Sequence, residues 1–145
     1  MLNEIITGSS EETFNLGKEF SKRLEGGEII WLSGDLGSGK TTFTQGILRG
    51  FEIEGALGSP TFMLMKEYDI KDAKFNIKKV YHIDTYRIAG EDDIISLGWE
   101  ELLSDKINII IVEWPEKIKS IIPRKAIWIN FKYVENDKRK INFKS

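Results

Sequence analysis

The segment at residues 34–41, GDLGSGKT, places glycines, a lysine and a threonine at the spacing G-x-x-x-x-G-K-[ST]. Because glycine lacks a Cβ, the backbone N–H groups of such a loop can converge on an anion. At these positions a lysine reaches the outer phosphates of a nucleotide, and the following hydroxyl can ligate Mg²⁺. Residues 28–33 predict a strand before the loop, and residues 41–48 predict a helix after it, which is the context that the motif requires. The sequence therefore predicts a phosphate-binding loop (P-loop).

The predicted nucleotide contacts come from this loop and from the first turn of the helix, whose positive dipole end favours an anion. They are Asp35, Leu36, Gly37, Ser38, Gly39, Lys40, Thr41 and Thr42. Asp35 is unusual, because its carboxylate would stand beside a phosphate. It either faces away from the phosphates or positions water or metal.

Two carboxylates end predicted strands and could serve a nucleotide hydrolase. Asp84 ends the segment VYHID, and Glu113 ends the more apolar segment NIIIVE. Ligands of open α/β sheets lie beyond the carboxyl ends of the strands, so both acids are expected near the P-loop. Glu113 is the better candidate for holding Mg²⁺, directly or through water. Either acid could instead cap a helix or pair with a lysine.

Other side chains could complete the site. His82 alternates with Asp84 and should point to the same face of the strand, although a lone strand histidine is more often structural. Arg87 could contact phosphate or a partner, or simply lie on the surface. Residues 59–61, SPT, follow the P-loop helix, and Thr61 could sense a phosphate or be an ordinary turn hydroxyl. Trp114 adjoins Glu113, so its ring could stack near the site.

Composition limits the class of protein. The chain has 145 residues, with 41% hydrophobic and 30% charged side chains, which is ordinary for one globular domain over residues 1–145. Its net charge of −2 gives no overall electrostatic case for nucleic-acid binding. The absence of cysteine excludes disulfides and thiolate chemistry. No membrane span or signal peptide is recognisable, so a cytoplasmic location is expected.

The pattern of predicted elements favours an α/β layer fold with a mixed sheet. A capping box with Ser9 as N-cap begins a helix that should end at Gly26–Gly27. Helix-forming residues also occupy 92–103, interrupted by Gly98, and the stretch between Pro115 and Pro123. Strands are predicted at residues 3–7, 62–70, 77–84, 108–112, 126–134 and 139–143, and the last two form a hairpin.

Four motifs occur in one order: GDLGSGKTT from residue 34, SPTF from 59, HIDTYR from 82 and EWPE from 113. Together they make the chain resemble the TsaE family, the small bacterial ATPases of tRNA threonylcarbamoyladenosine biosynthesis. The resemblance covers nearly the whole chain. It implies a P-loop NTPase-like three-layer α/β fold with a mixed central sheet and a C-terminal hairpin. It also implies Mg²⁺-dependent ATP hydrolysis that supports partner proteins of the TsaD and TsaB types, with tRNA contacted indirectly or weakly.

The resemblance also implies roles for single residues. Lys40 and the loop amides would hold the phosphates, while Thr41 and Glu113 would hold Mg²⁺. Residues 59–61 and 82–87 would correspond to switch I-like and switch II-like segments. Within them, Thr61 and Asp84 would organise the attacking water. Ser10 would lie on the adenine side.

Two of the other nucleotide-dependent functions need features that the sequence lacks. A small-molecule P-loop kinase, the main alternative, would need an arginine-rich lid, and only Arg87 stands in a suggestive place. A GTPase would carry N-K-x-D, which is absent. A non-catalytic nucleotide-dependent interaction module would keep the P-loop without hydrolysis.

Overall fold

The computed structural model describes residues 4–35, 37–55, 65–86 and 88–144. In these residues the chain forms one seven-stranded sheet with the order β1-β7-β6-β2-β5-β4-β3. The strands are β1 Glu4–Thr7, β2 Ile29–Gly34, β3 Met65–Asp69, β4 Lys79–Asp84, β5 Asn108–Glu113, β6 Ile127–Glu135 and β7 Lys138–Lys144. The α-helices are α1 Ser10–Ser21, α2 Lys40–Gly50, α3 Glu91–Ile95 and α4 Trp99–Ser104, and 3-10 helices span Ala73–Phe75 and Pro115–Ile121. None of the described helices has the length and apolar character that crossing a membrane requires.

The sheet is mixed, as predicted. β6, β2, β5 and β4 run parallel, whereas β3, β7 and β1 pair antiparallel with their neighbours. The parallel strands therefore end at one edge, where β2 leads into the glycine loop. In the ladder between β4 and β5, Asp84 pairs with Glu113. The predicted approach of these two acids to the P-loop follows directly from this register.

The two faces of the sheet carry separate cores. Phe43, Ile47 and Ile111 belong to the core on the side of α1 and α2, while Val112 and Trp99 belong to the core on the opposite side. All six residues of β5 are buried, as the apolar run predicted for a central parallel strand. The three-layer α/β fold, the C-terminal hairpin β6–β7 and the two short helices divided at Gly98 are confirmed.

Helix α1 begins as predicted but ends earlier. The Ser9 hydroxyl accepts a hydrogen bond from the Glu12 N–H at 3.1 Å, which is the predicted cap. The helix stops at Ser21 and not at Gly26–Gly27. The prediction was wrong because the N–H groups of residues 22–24 donate to carbonyls three positions back, which ends the α-helix in a tighter turn. The Glu28 carboxylate then accepts from the N–H groups of residues 25 and 26, at 2.9 and 2.7 Å. Helical periodicity cannot reveal a cap that comes from beyond the helix end.

Helices α1 and α2 cross where Gly17 faces Gly46. A Cβ at Gly46 would come closer than 3.0 Å to the Phe14 carbonyl oxygen, and one at Gly17 would come equally close to the Phe43 carbonyl oxygen. The two helix backbones are therefore in direct contact. This crossing packs α1 against the helix that begins at Lys40.

Gly46→Ala is expected to lower the free energy of unfolding by about 2 kcal/mol. Alanine normally gains about 1 kcal/mol over glycine inside a helix, but here the added methyl group meets backbone and the helices must separate. Urea unfolding measures the change. Gly90→Ala is the control, because a Cβ there has no atom within 4 Å. An alanine variant at position 46 as stable as the wild type would contradict the packing argument.

Candidate functional site

The glycine loop leaves the sheet at Gly34 and enters α2 at Lys40. Gly34 has φ of 137°, and a Cβ there would come closer than 3.0 Å to the Phe131 carbonyl oxygen. Gly39, the N-cap residue, has φ of 106°. Glycine is thus required at both ends of the loop for backbone geometry. Leu36 lies outside the described residues.

Lys40 is nearly fully buried at the mouth of this loop. Its Nζ donates to the carbonyl oxygens of Gly34 at 2.5 Å and Asp35 at 2.9 Å. It also lies 3.9 Å from the centroid of the Trp114 ring. Burial lowers the pKa of Lys40, while the charges of Glu113 and other nearby acids oppose that shift. The ammonium group therefore sits between the loop and the end of β5, partly stripped of water.

The remaining loop residues differ in exposure. Ser38 is buried, and its Oγ has no hydrogen-bond partner within the described part of the chain. Asp35 and Gly37 are exposed, while Thr41 and Thr42 are half-buried. A buried hydroxyl without a partner is costly, so Ser38 Oγ is available to an incoming polar group.

The two strand-end acids lie side by side but in different environments. Glu113 is 2% exposed, and its Oε1 accepts from the Thr41 hydroxyl at 3.4 Å. Asp84 is half-buried and accepts from the Tyr86 N–H at 3.0 Å. Burial raises the pKa of Asp84, and the Glu113 carboxylate raises it further. The structure thus brings together three of the predicted residues, Thr41, Asp84 and Glu113, on the α2 side of the sheet.

The donor set fits Mg²⁺. The cation is usually held in phosphate sites by one or two carboxylates, with water and substrate phosphate completing the shell. The Thr41 hydroxyl and the Glu113 carboxylate converge beside the loop and would occupy the protein side of such a shell.

His82 contacts the same carboxylate from within the sheet. It is fully buried, and its Nε2 lies 2.7 Å from Glu113 Oε2, which requires a proton on Nε2 when the carboxylate is ionised. The sequence predicts that His82 shares the face of Asp84, but it does not predict this contact with Glu113. The contact depends on the β4–β5 register, in which Asp84 pairs with Glu113, so that alternation along β4 places His82 on the face that Glu113 shares. His82 therefore fixes the direction of the Glu113 carboxyl group.

The loop after β4 is joined to the segment after β5. The Thr85 hydroxyl donates to the Glu113 carbonyl at 2.9 Å and also to the Trp114 carbonyl. The rings of Tyr86 and Trp114 lie 5.0 Å apart. Lys117 Nζ donates to the carbonyls of Tyr86 at 2.7 Å and Ile88 at 2.9 Å. These contacts attach residues 85, 86 and 88 to the chain that follows Glu113.

Arg139 contacts the glycine loop, and the sequence alone does not point to it. Its Nε donates to the Gly37 carbonyl at 3.1 Å, and its guanidinium carbon lies 4.8 Å from the centroid of the Tyr133 ring. The residue belongs to β7, 102 positions away from Gly37. No local pattern marks it, because only the sheet order brings the C-terminal hairpin beside the loop.

The first helix also flanks the loop. The Thr13 methyl group would lie 3.4 Å from a Cβ at Gly39. Ser10 is exposed and lies almost one turn earlier in the same helix, so its assignment to the adenine side stays a prediction. The predicted roles of Thr61 and Arg87 also stay untested, because both residues lie outside the described ranges.

Asp84→Asn is expected to stabilise the protein at neutral pH. The pKa of Asp84 is raised on folding, so its ionised form is disfavoured in the folded state. Its contribution to stability is therefore greatest below the ordinary value of 3.8 and is lost as pH rises through the raised pKa. Urea unfolding should show the variant more stable than the wild type at neutral pH, with the difference shrinking toward about pH 4. A variant less stable at neutral pH would contradict this reasoning.

The chain that carries these motifs is similar to known proteins along nearly its whole length. A model of the family described as "Threonylcarbamoyl adenosine biosynthesis protein TsaE" matches residues 7–141. A Rickettsia bellii protein named tRNA threonylcarbamoyladenosine biosynthesis protein TsaE is 42% identical over 144 residues, covering 98% of this chain and 95% of that protein. The Bacillus subtilis protein of the same name is 35% identical over 137 residues, covering 94% of this chain and 82% of that protein.

The fold is shared as well. The crystal structure of Bacillus subtilis YdiB matches with a TM-score of 0.76 and 31% sequence identity, over 97% of this chain and 82% of that chain. The resemblance predicted from the four sequence motifs is thus confirmed along nearly the whole length. The chain belongs to the TsaE family.

Proposed function

We propose that this protein hydrolyses ATP with Mg²⁺ and thereby supports threonylcarbamoyl modification of tRNA. The observation that carries the proposal is the convergence of Lys40, Thr41 and Glu113 at the mouth of the glycine loop. The names of its relatives supply the pathway. The transfer reaction itself would belong to partner proteins of the TsaD and TsaB types, as the resemblance implies.

Each residue of the site would have a separate role in hydrolysis. Lys40 would leave its two loop carbonyls to contact the outer phosphates, while the loop N–H groups bind the remaining phosphate oxygens. Thr41 and Glu113 would hold Mg²⁺, which neutralises charge that develops on the phosphates. Asp84 is an acceptor at the neighbouring strand end, and its raised pKa favours proton uptake from an attacking water. His82 would keep the Glu113 carboxylate oriented.

Reconstitution tests the proposal. Phosphate release from ATP and threonylcarbamoyl transfer to an unmodified tRNA transcript would be measured with the partner proteins. Each assay is repeated without this chain and with its Lys40→Ala variant. We expect repeated tRNA modification only when ATP is hydrolysed. ATP turnover and modification that never depend on one another would contradict the proposal, and phosphate transfer to a small-molecule acceptor would favour a kinase.

Arg139→Ala is expected to weaken ATP binding about tenfold. The guanidinium group lies beside the loop, and a charge-assisted hydrogen bond to phosphate contributes about 1.5–3 kcal/mol. Calorimetric titration measures the change, and Arg139→Lys should recover part of the affinity by restoring the charge. The control is Arg124→Ala, which removes an exposed arginine from the turn before β6. Unchanged affinity in Arg139→Ala would remove this residue from the site.

A further inference from the structure

One face of the sheet gathers lysines around an aromatic pair on the side opposite α1 and α2. Three pairs in the β6–β7 ladder define this lysine face: Trp128 with Lys144, Asn130 with Asn142, and Lys132 with Lys140. Phe131 and Ile141 alternate with these residues and are buried in the core beneath α1 and α2, so the ladder residues point away from those helices.

The lysine face is open to solvent. Lys132 and Lys144 are exposed, and Lys140 and Asn142 are half-buried. Ile6 pairs with Lys140 from the neighbouring strand β1 and is 58% exposed. Among the described residues, this part of the sheet thus presents its side chains to solvent and not to a helix layer.

Trp128 is held in place before anything binds. Its ring stacks on the buried Trp31, with centroids 4.3 Å apart and planes at 13°. Its Nε1 donates to Ser33 Oγ at 2.7 Å, and Asn130 Nδ2 donates to the same oxygen at 2.8 Å. Trp128 is half-buried, so the residue keeps some access to solvent. A pre-oriented aromatic ring loses little conformational freedom when a planar ligand stacks on it.

The charge on this face differs from that of the whole chain. Lys132, Lys140 and Lys144 project from it, and Lys119 Nζ lies 5.7 Å from the Trp128 ring centroid. The nearest described acid is Glu4, 3.9 Å from Lys140. The chain as a whole carries a net charge of −2, so composition alone hides this basic patch.

We propose that the lysine face binds a single-stranded or looped segment of RNA. A partly exposed aromatic ring on a sheet can accept an unstacked base, and amides beside it can hydrogen-bond base edges. Lysines along the strands follow the phosphate backbone. The oriented Trp128 and the paired asparagines favour RNA over an acidic protein surface, which would need only the lysines. This site is separate from the ATP site and does not depend on hydrolysis.

Fluorescence anisotropy tests the proposal with two labelled probes, an unstructured RNA of about 12 nucleotides and an unmodified tRNA transcript, titrated without ATP. The variant K132Q/K140Q/K144Q should bind both probes at least about tenfold more weakly. The slope of log K against log salt should fall by about 2, since each phosphate contact contributes about 0.7. Trp128→Leu should weaken binding about fivefold or more without changing that slope.

A matched control removes the same charge elsewhere. K18Q/K71Q/K78Q replaces three exposed lysines on α1 and near the β3–β4 hairpin, and should weaken binding less than about threefold. Equal losses in the two triple variants, or no binding by the wild-type protein at low salt, would overturn the proposal. So would a K132Q/K140Q/K144Q variant that keeps RNA affinity but loses binding to the partner proteins. ATP binding in the same variants reports whether the fold is intact. A wild-type protein that binds RNA but does not hydrolyse ATP would contradict the proposed function and leave the RNA site unaffected.

Discussion

Replacing Glu113 with glutamine is expected to lower Mg²⁺-dependent ATP hydrolysis by about two to four orders of magnitude, with ATP binding largely retained. The substitution removes the buried negative charge that faces Thr41, and metal stabilisation of a transition state contributes several kcal/mol. Glutamine keeps an oxygen that can accept from His82 Nε2. Alanine would leave that buried nitrogen without a hydrogen-bond partner and destabilise the fold. A loss of activity could then not be distinguished from a loss of folding.

The measurement is single-turnover hydrolysis over a range of Mg²⁺ concentrations, with ATP affinity measured in parallel. Glu101→Gln is the matched control, because it removes an exposed carboxylate from α4 and should leave hydrolysis within about threefold of wild type. Normal hydrolysis in Glu113→Gln, together with loss of hydrolysis in Asp84→Asn, would assign the metal to Asp84.

Replacing Lys40 with methionine is expected to weaken ATP binding by at least about a hundredfold, since a buried charge-assisted contact to phosphate is lost. The same change should not lower the melting temperature of the free protein. Burial already lowers the pKa of Lys40, which means that folding disfavours its charge, and methionine fills similar space against Trp114. Calorimetric titration and thermal unfolding together check both halves of the prediction.

Lys119→Met provides the control for this experiment. It removes an exposed ammonium that lies near Trp128, on the face of the sheet opposite α1 and α2. ATP affinity close to wild type in Lys40→Met would exclude the assigned role of the loop lysine. A large drop in melting temperature would instead show that the ammonium bonds to Gly34 and Asp35 hold the loop together.

Local patterns predicted the parts of the molecule that depend on near neighbours in the chain. The glycine loop, the Ser9 cap and the buried strand ending at Glu113 were visible because spacing and periodicity are local properties. The alternation of His82 and Asp84 placed both residues on the correct face. The end of α1 was not predictable, because its turn is capped by Glu28.

Several contacts around the site join residues that are far apart in the sequence. Arg139 reaches Gly37, Trp114 covers Lys40, and Lys117 binds the loop after β4 only because the strands assemble in a particular order. The basic patch on β6 and β7 was hidden for the same reason. Lysines on two different strands form a basic patch only when the strand register places them on one face of the sheet.

Three stacked side chains lead from the surface to the P-loop. Tyr86 is 48% exposed, its ring packs on Trp114, and Trp114 carries the Lys40 ammonium on its face. A phosphate that draws Lys40 away would remove the ammonium from one face of the Trp114 ring, and a molecule bound at Tyr86 would contact a side chain that packs on the same ring. By thermodynamic linkage, if nucleotide binding changes the affinity for that molecule by some factor, binding of the molecule changes the affinity for nucleotide by the same factor.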